Sequence, residues 1–413
     1  MQTPVSKHRG FLVREFYRQA LLLAAREELG LVTRDAWLGD AIPSEGSIRP
    51  FDLTIRAGTM ARVEVLHGFP SSAKAVGNVD LPSFPTPAGY HRQLWTQAEE
   101  FSRTRFVEIL KKSVVGGEPR AWKQDLALPA AVEESLREMA FLVQFKAARQ
   151  IHDVIASQGQ SPALLGALVR AYANLGVLTE FHWHPAHKVF KARAILYAQR
   201  WLALQPDSLP AQWHRAYALV LAGIHEDALP DLELAQKRWE ATAEKDRPAR
   251  PGWVALLDAC CRYDIDKLAA ELDRAEHGQL AALLHYHTVE LAGNQRWALQ
   301  TAGTTLEKIP GCYRVHDAVY NFGGVSVGHL ATIAPIRVLG RTLYDQVQQM
   351  RGLPESVRGL AKRPADDAAA PAFFGPSVDN MGAEFEARAK LVAALREASR
   401  SPTASASTSP RPR

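Results

Sequence analysis

At 413 residues the chain has room for two or three domains or one extended repeat array, and its 47% hydrophobic and 23% charged content is that of a soluble globular protein. No uninterrupted apolar run approaches the ~20 residues of a membrane span, which excludes a transmembrane helix. The net charge of +5 points to nucleic acid only until it is located. Residues 1–20 and residues 398–413 each hold +3, so the remainder carries −1 and no nucleic-acid face is expected.

The first predicted element is a helix from about Phe11 to Leu29. There Val13, Phe16, Tyr17, Ala20, Leu21 and Ala24 keep helical spacing, and Gly30 suits the C-cap. Within it "ALLLAA" (Ala20 to Ala25) lies between Arg18 and Arg26. It is shorter than the ~7–15-residue core of an export signal and lacks a following cleavage site. Three cysteines (Cys260, Cys261 and Cys312) make no disulfide framework. A cytoplasmic chain with reduced, buried thiols is therefore expected.

Alternation in "FDLTI" and "ARVEV" around Ala57-Gly58-Thr59 predicts a β-hairpin near 51–66, with Phe51, Leu53 and Ile55 answered by Val63 and Val65. A lone hairpin is marginal, so it must pack on helices. Residues 68–90, with Pro82, Pro85 and Pro87, read as a linker or irregular loop. From Tyr90 the pattern is helical. Residues 130–156 read as one long amphipathic helix, with Leu136, Met139, Phe141, Val143, Ala147 and Ile151 among its apolar positions. After Arg351 come a low-complexity stretch, a helix near Ala383 to Ala398 and a tail (399–413) expected to be disordered. The expected organisation is an N-terminal helix and hairpin cap with linker (1–90), a helical array (91–350) and a terminal linker, helix and basic tail (351–413).

Internal self-similarity is the strongest signal. In "RAYALVLAGIHEDALPDLELA" Gly223 is followed five residues later by Ala228, then by Leu232 and Ala235. In "HYHTVELAGNQRWALQTAGTTLEKIP" Gly293 is followed five later by Ala298, with Pro310 beyond. A degenerate copy between them, "WVALLDACCRYDIDKLAAELDRA", puts Tyr263 at the turn and Leu268, Leu272 and Ala275 on the second helix, with Trp253 in register with Trp213. An upstream copy has Tyr172 and Gly176 in place, and a second helix "KARAILYAQRWLALQP" with Ala194 at the alanine position and Pro206 at the close. Over residues 160–310 this resembles the tetratricopeptide repeat, whose antiparallel helix pairs span ~34 residues. The resemblance implies a mostly α fold: a TPR-like α-solenoid behind a small N-terminal α/β-hairpin cap, with helices 91–157 and 311–350 as atypical or capping pairs.

The resemblance also implies a concave groove, lined by the first helix of each unit, that receives peptides. The matching positions here are Arg170 and Asn174; Trp213, His214 and Tyr217; Trp253 and Leu257; and His287 and Glu290. An aromatic surface with a few polar groups suits recognition. The competing reading is that Trp213 and Trp253 fill space between units.

No enzyme motif stands out. "HEDAL" (His225 to Leu229) lacks a second zinc-protease histidine, no Cys-x-x-Cys, phosphate-loop or Gly-x-Ser-x-Gly pattern occurs, and "FGGVSVGH" has the wrong glycine spacing for a dinucleotide turn. "TEFHWHPAHKVFK" (Thr179 to Lys191) sits thirteen residues too long in the first unit's hairpin. With Glu180 nearby, His182, His184 and His187 make a zinc site sterically conceivable. The interleaved Phe181, Trp183 and Phe190 favour a packed structural insertion instead. The second helix then begins near Pro185, with His187 in its first turn. The expected function is a non-catalytic protein- or peptide-binding scaffold without cofactor, acting on neither nucleic acid nor membrane. The rivals are a metal-dependent enzyme using those histidines and a structural subunit whose groove is filled by its own termini.

Overall fold

The structure is a computed structural model. It describes residues 4–31, 33, 53–57, 62–67, 74–80, 90–112, 118–119, 121–180, 186–291, 295–309, 312 and 314–315. These are mostly helical. Helix α1 (Pro4–Glu28) is followed by β1 (Leu53–Ala57), β2 (Arg62–His67) and β3 (Lys74–Asp80). Thereafter the described elements are helices: α2 (Tyr90–Arg103), α3 (Arg105–Lys111), α4 (Ala130–Arg137), α5 (Phe141–Gln158), α6 (Pro162–Leu178), α7 (Ala186–Leu204), α8 (Leu209–Ala222), α9 (His225–Ala241), α10 (Trp253–Cys261), α11 (Ile265–Ala270), α12 (Gly278–Leu291) and α13 (Gln295–Lys308). No described helix is long and apolar enough to cross a membrane.

The expected hairpin is present. β1 and β2 pair antiparallel, with Ile55 opposite Val65 and Ala57 opposite Val63. The segment read as linker supplies a third strand, because β3 pairs antiparallel with β2, Val63 facing Val79. Its sequence, KAVGNVD, holds a glycine and too few alternating apolar residues to announce a strand.

Helix starts follow from capping chemistry. Ser161 accepts from the Leu164 amide (3.2 Å) and Ser208 from the Ala211 amide (3.3 Å), each with a proline in the first turn. At the end of α8, Gly223 takes φ 79° while its amide and that of Ile224 return to the Val220 and Leu219 carbonyls (both 2.9 Å). The degenerate unit closes α10 with the same bonding pattern: Tyr263 and Asp264 return to Cys260 (3.2 Å) and Ala259 (2.9 Å). Here Tyr263 itself carries the left-handed conformation, with φ 58°. A Cβ in that region is crowded by the following carbonyl. Tyr263→Gly should therefore stabilise the chain by about 0.5–1 kcal/mol, read as a higher urea midpoint at unchanged slope.

The predicted single helix over 130–156 is two helices. Glu138 and Ala140 are extended, although neither glycine nor proline marks the break. Side chains make it. Gln144 Nε2 donates to the Ser135 (3.0 Å) and Glu138 (2.7 Å) carbonyls that end α4, and the Met139 amide donates to Gln279 Oε1 on α12 (2.6 Å). Gly176 likewise differs from its expected place. It lies inside α6, not at the turn, and a Cβ there would stand 2.6 Å from Lys191 Cγ, so it lets α6 and α7 approach closely.

From α4 onward the helices pack in a regular relay. α4, α6, α8, α10 and α12 each contact the next of that set, and each also packs on its own partner, α5, α7, α9, α11 or α13. α1 and α2 pack against α7. The contacts there include Arg193 Nε to Gln19 (2.7 Å) and Arg26 Nη2 to the Tyr197 hydroxyl (3.0 Å). On α9, Asp231 accepts from Arg215 (2.6 Å twice) and from Arg92 of α2 (2.7 Å). One apolar core runs through these helices, and a smaller one joins α1, α2 and α3.

Candidate functional site

The residues assigned to a groove fall into two groups, and the first is interior. Asn174, Trp213, Tyr217 and Leu257 are all 3% exposed or less, and Trp253 is 8% exposed. The Tyr217 hydroxyl donates to Asn174 Oδ1 (2.7 Å), whose Nδ2 donates to Gln144 Oε1 of α5 (3.2 Å). Trp253 meets the rings of Tyr217 (5.1 Å) and His214 (5.2 Å) edge-on, and His214 leans on Trp201 (5.1 Å). Arg170 forks onto Glu133 of α4. The expected aromatic surface is thus corrected to a packed interior. Glu133 and Gln144, from the preceding helix pair, already bond the Arg170 guanidinium and the Asn174 amide that a peptide would have met.

His214 sits in this interior with Nδ1 on the Pro210 carbonyl (2.7 Å). Burial, assisted by the Arg170 guanidinium, lowers its pKa to about 3. An unfolded chain binds a proton there below about 6.5, which the folded chain refuses. Stability must therefore fall as pH drops below about 6.5 and keep falling towards 3. Between pH 7 and pH 5 this histidine alone should remove about 2 kcal/mol. His225 and His287 are also lowered by burial and act in the same direction. Urea unfolding at the two pH values reads the loss, and His214→Gln should remove its share of the slope. An unchanged slope in that variant would refute the assignment.

The second group is ionic. Glu180, just beyond α6, accepts from Lys191 Nζ (2.7 Å) and from Arg314 Nη1 (2.9 Å). Arg314 also donates through Nη2 (2.7 Å) and Nε (3.1 Å) to Glu290 Oε2 on α12. Despite burial, the two cations hold the Glu180 carboxyl well below the usual carboxylate range. His287 lies beside this cluster, its ring edge-on to that of His225 (5.6 Å). His287 Nδ1 and His225 Nε2 are buried without a hydrogen-bond partner. Glu290 and His287 were expected in a groove. The sequence gives no sign that Arg314, beyond α13, returns to them.

His182 and His184 lie outside the described residues. His187 is buried in the first turn of α7, at the helix start expected for it. Among the described residues no group of three or more His, Cys, Asp or Glu could hold a metal ion. Cys260, Cys261 and Cys312 are buried free thiols, and burial pushes Cys260 and Cys312 up to about 11. An open cleft of about 740 Å³ lies between α4, the turn from α11 into the start of α12, and the end of α13. Its lining holds four carboxylates against three cations, with Arg137 paired to Glu134 (3.4 Å) and Lys308 to Asp273 (3.1 Å), so it offers little net field to select a ligand.

Compared with protein-family models, with curated proteins and with solved structures, the chain finds no match in any of the three.

Proposed function

We propose that the chain is an α-solenoid of the tetratricopeptide type, with a helix and β-sheet element at its N-terminus, that works as a non-catalytic scaffold for a protein or peptide. The observation that carries this reading is the packing relay, in which each first helix touches its partner and the next first helix from α4 to α12. Stacked pairs that contact mainly their neighbours are how solenoids are built. Matching caps at Gly223 and Tyr263 support a common unit. The step from solenoid to scaffold rests on fold-level analogy, since a repeat fold names a mode of binding and not a partner.

A structural subunit that fills its own inner face is the second reading. It is favoured by the contacts that Glu133, Gln144 and Arg314 make to the expected groove positions. One experiment separates the two. Affinity purification of the full chain from its native cell should recover a protein partner in near-equimolar amount. Recovery of the chain alone, at concentrations where a micromolar complex would persist, sinks the scaffold.

A further inference from the structure

The ionic group at the end of α6 is built like a receptor whose ligand comes from the same chain. Two carboxylates from separate elements, Glu180 just beyond α6 and Glu290 on α12, converge on one guanidinium, and three different nitrogens of Arg314 donate to them at 2.7–3.1 Å. Backbone bonds and buried neighbours hold Arg314 in place. The Cys312 amide returns to the Ile309 carbonyl (3.0 Å) and the Val315 amide to the Cys312 carbonyl (3.1 Å), while the Cys312 and Val315 side chains are fully buried on either side. Among the described residues the other ion-pair partner of these carboxylates is Lys191, so without Arg314 the three groups carry a net charge of −1. An ammonium presents a single nitrogen and cannot bridge the two carboxylates as a planar fork does.

A second observation points to a ligand beyond Arg314. The internal occupant satisfies the carboxylates yet leaves Nδ1 of His287, beside Glu180, buried and unpaired, as is Nε2 of His225 against the His287 ring. Buried polar atoms without partners are uncommon and costly in a finished interior. The site therefore holds more hydrogen-bonding capacity than its own chain uses. A peptide with a polar group next to its arginine would use it.

We propose that the Glu180–Glu290 pocket is a recognition site for an arginine-bearing segment of a partner protein, and that Arg314 occupies it as a built-in competitor. This deepens the scaffold reading and rests on it. The test uses the full chain and short acetylated, amidated peptides bearing one arginine, with citrulline and lysine analogues, read by fluorescence anisotropy. Arg314→Ala should bind the arginine peptide at least about tenfold more tightly than the unaltered chain. The citrulline and lysine analogues should show no such gain, and adding Glu290→Gln should abolish it. Equal binding by Arg314→Ala and the unaltered chain, or equal gain for citrulline, overturns the proposal.

Should Arg314→Ala lose its helical circular dichroism, Arg314→Lys replaces it in the same comparison. If both variants unfold, the proposal fails, because an occupant that the fold requires cannot yield to a ligand. Self-association of Arg314→Ala without peptide would assign the pocket to a second copy and likewise overturn it. The two readings fail separately. A co-purifying partner with no arginine-dependent binding sinks this pocket and leaves the scaffold standing. Arginine-dependent binding with no partner recovered does the reverse.

Discussion

Trp213→Ala should destabilise the chain by about 3–5 kcal/mol, with loss of the cooperative thermal transition or a large fall in its midpoint. The indole is 2% exposed and among the largest fully buried side chains. Removing it deletes both transfer energy and packing, and α8 meets too many neighbours to collapse into the void. The groove assignment predicts the opposite, a variant that keeps its helices and only loses a partner. Circular dichroism melts decide between them. A variant within 1 kcal/mol of the unaltered chain would mean that Trp213 faces an opening after all.

Arg200→Met should cost a similar amount, about 3–5 kcal/mol, by a different route. Arg200 on α7 is 4% exposed and pairs with Glu27 of α1 and Glu99 of α2 (2.9 Å), both 6% exposed. Methionine fills much of the volume but leaves two buried carboxylates without their cation. Burial already raises the Glu99 carboxyl, and loss of the adjacent guanidinium raises it further. A carboxyl raised in the folded state contributes stability below its unfolded pKa and loses it as pH rises through the folded value. The deficit of Arg200→Met against the unaltered chain should therefore shrink between pH 8 and pH 5. Protease cleavage near α1 should appear first, because this pair joins α1 and α2 to α7. A deficit independent of pH would show that lost packing, not uncompensated charge, is the cause.

Local patterns carried much of the architecture. Serine and proline mark the starts of α6 and α8, Gly223 and Tyr263 occupy equivalent turns, and alternation locates the hairpin. Pro185 points to the start of α7, which begins at Ala186. What escaped depends on distant partners. Nothing near Glu138 breaks a helix; the break is held by Gln144 and by Gln279 from another helix. Gly176 has the composition of a turn but serves close packing against Lys191. The groove residues have the right types at the right spacing, yet spacing cannot reveal that Glu133 and Gln144 lie against them. Arg314 is the plainest case. Residue spacing names no partner for it, and only the fold shows the two carboxylates that it meets.

The hydrogen bond from Met139 to Gln279, between α4's end and α12's start, has a consequence for how such a chain can change over time. Arrays of stacked pairs ordinarily fray from their ends and gain or lose a unit without disturbing the rest, since each unit answers only to its neighbours. This bond joins the outermost pairs of the relay, and Arg314 makes a second long link, from beyond α13 back to α6. With both links closed, inserting or deleting one pair would carry Gln279 away from the Met139 amide that donates to it and Arg314 away from the Glu180 carboxylate that accepts from it. Both links therefore oppose a change in the number of described pairs, and the described helices should melt in one step, read as a single calorimetric transition.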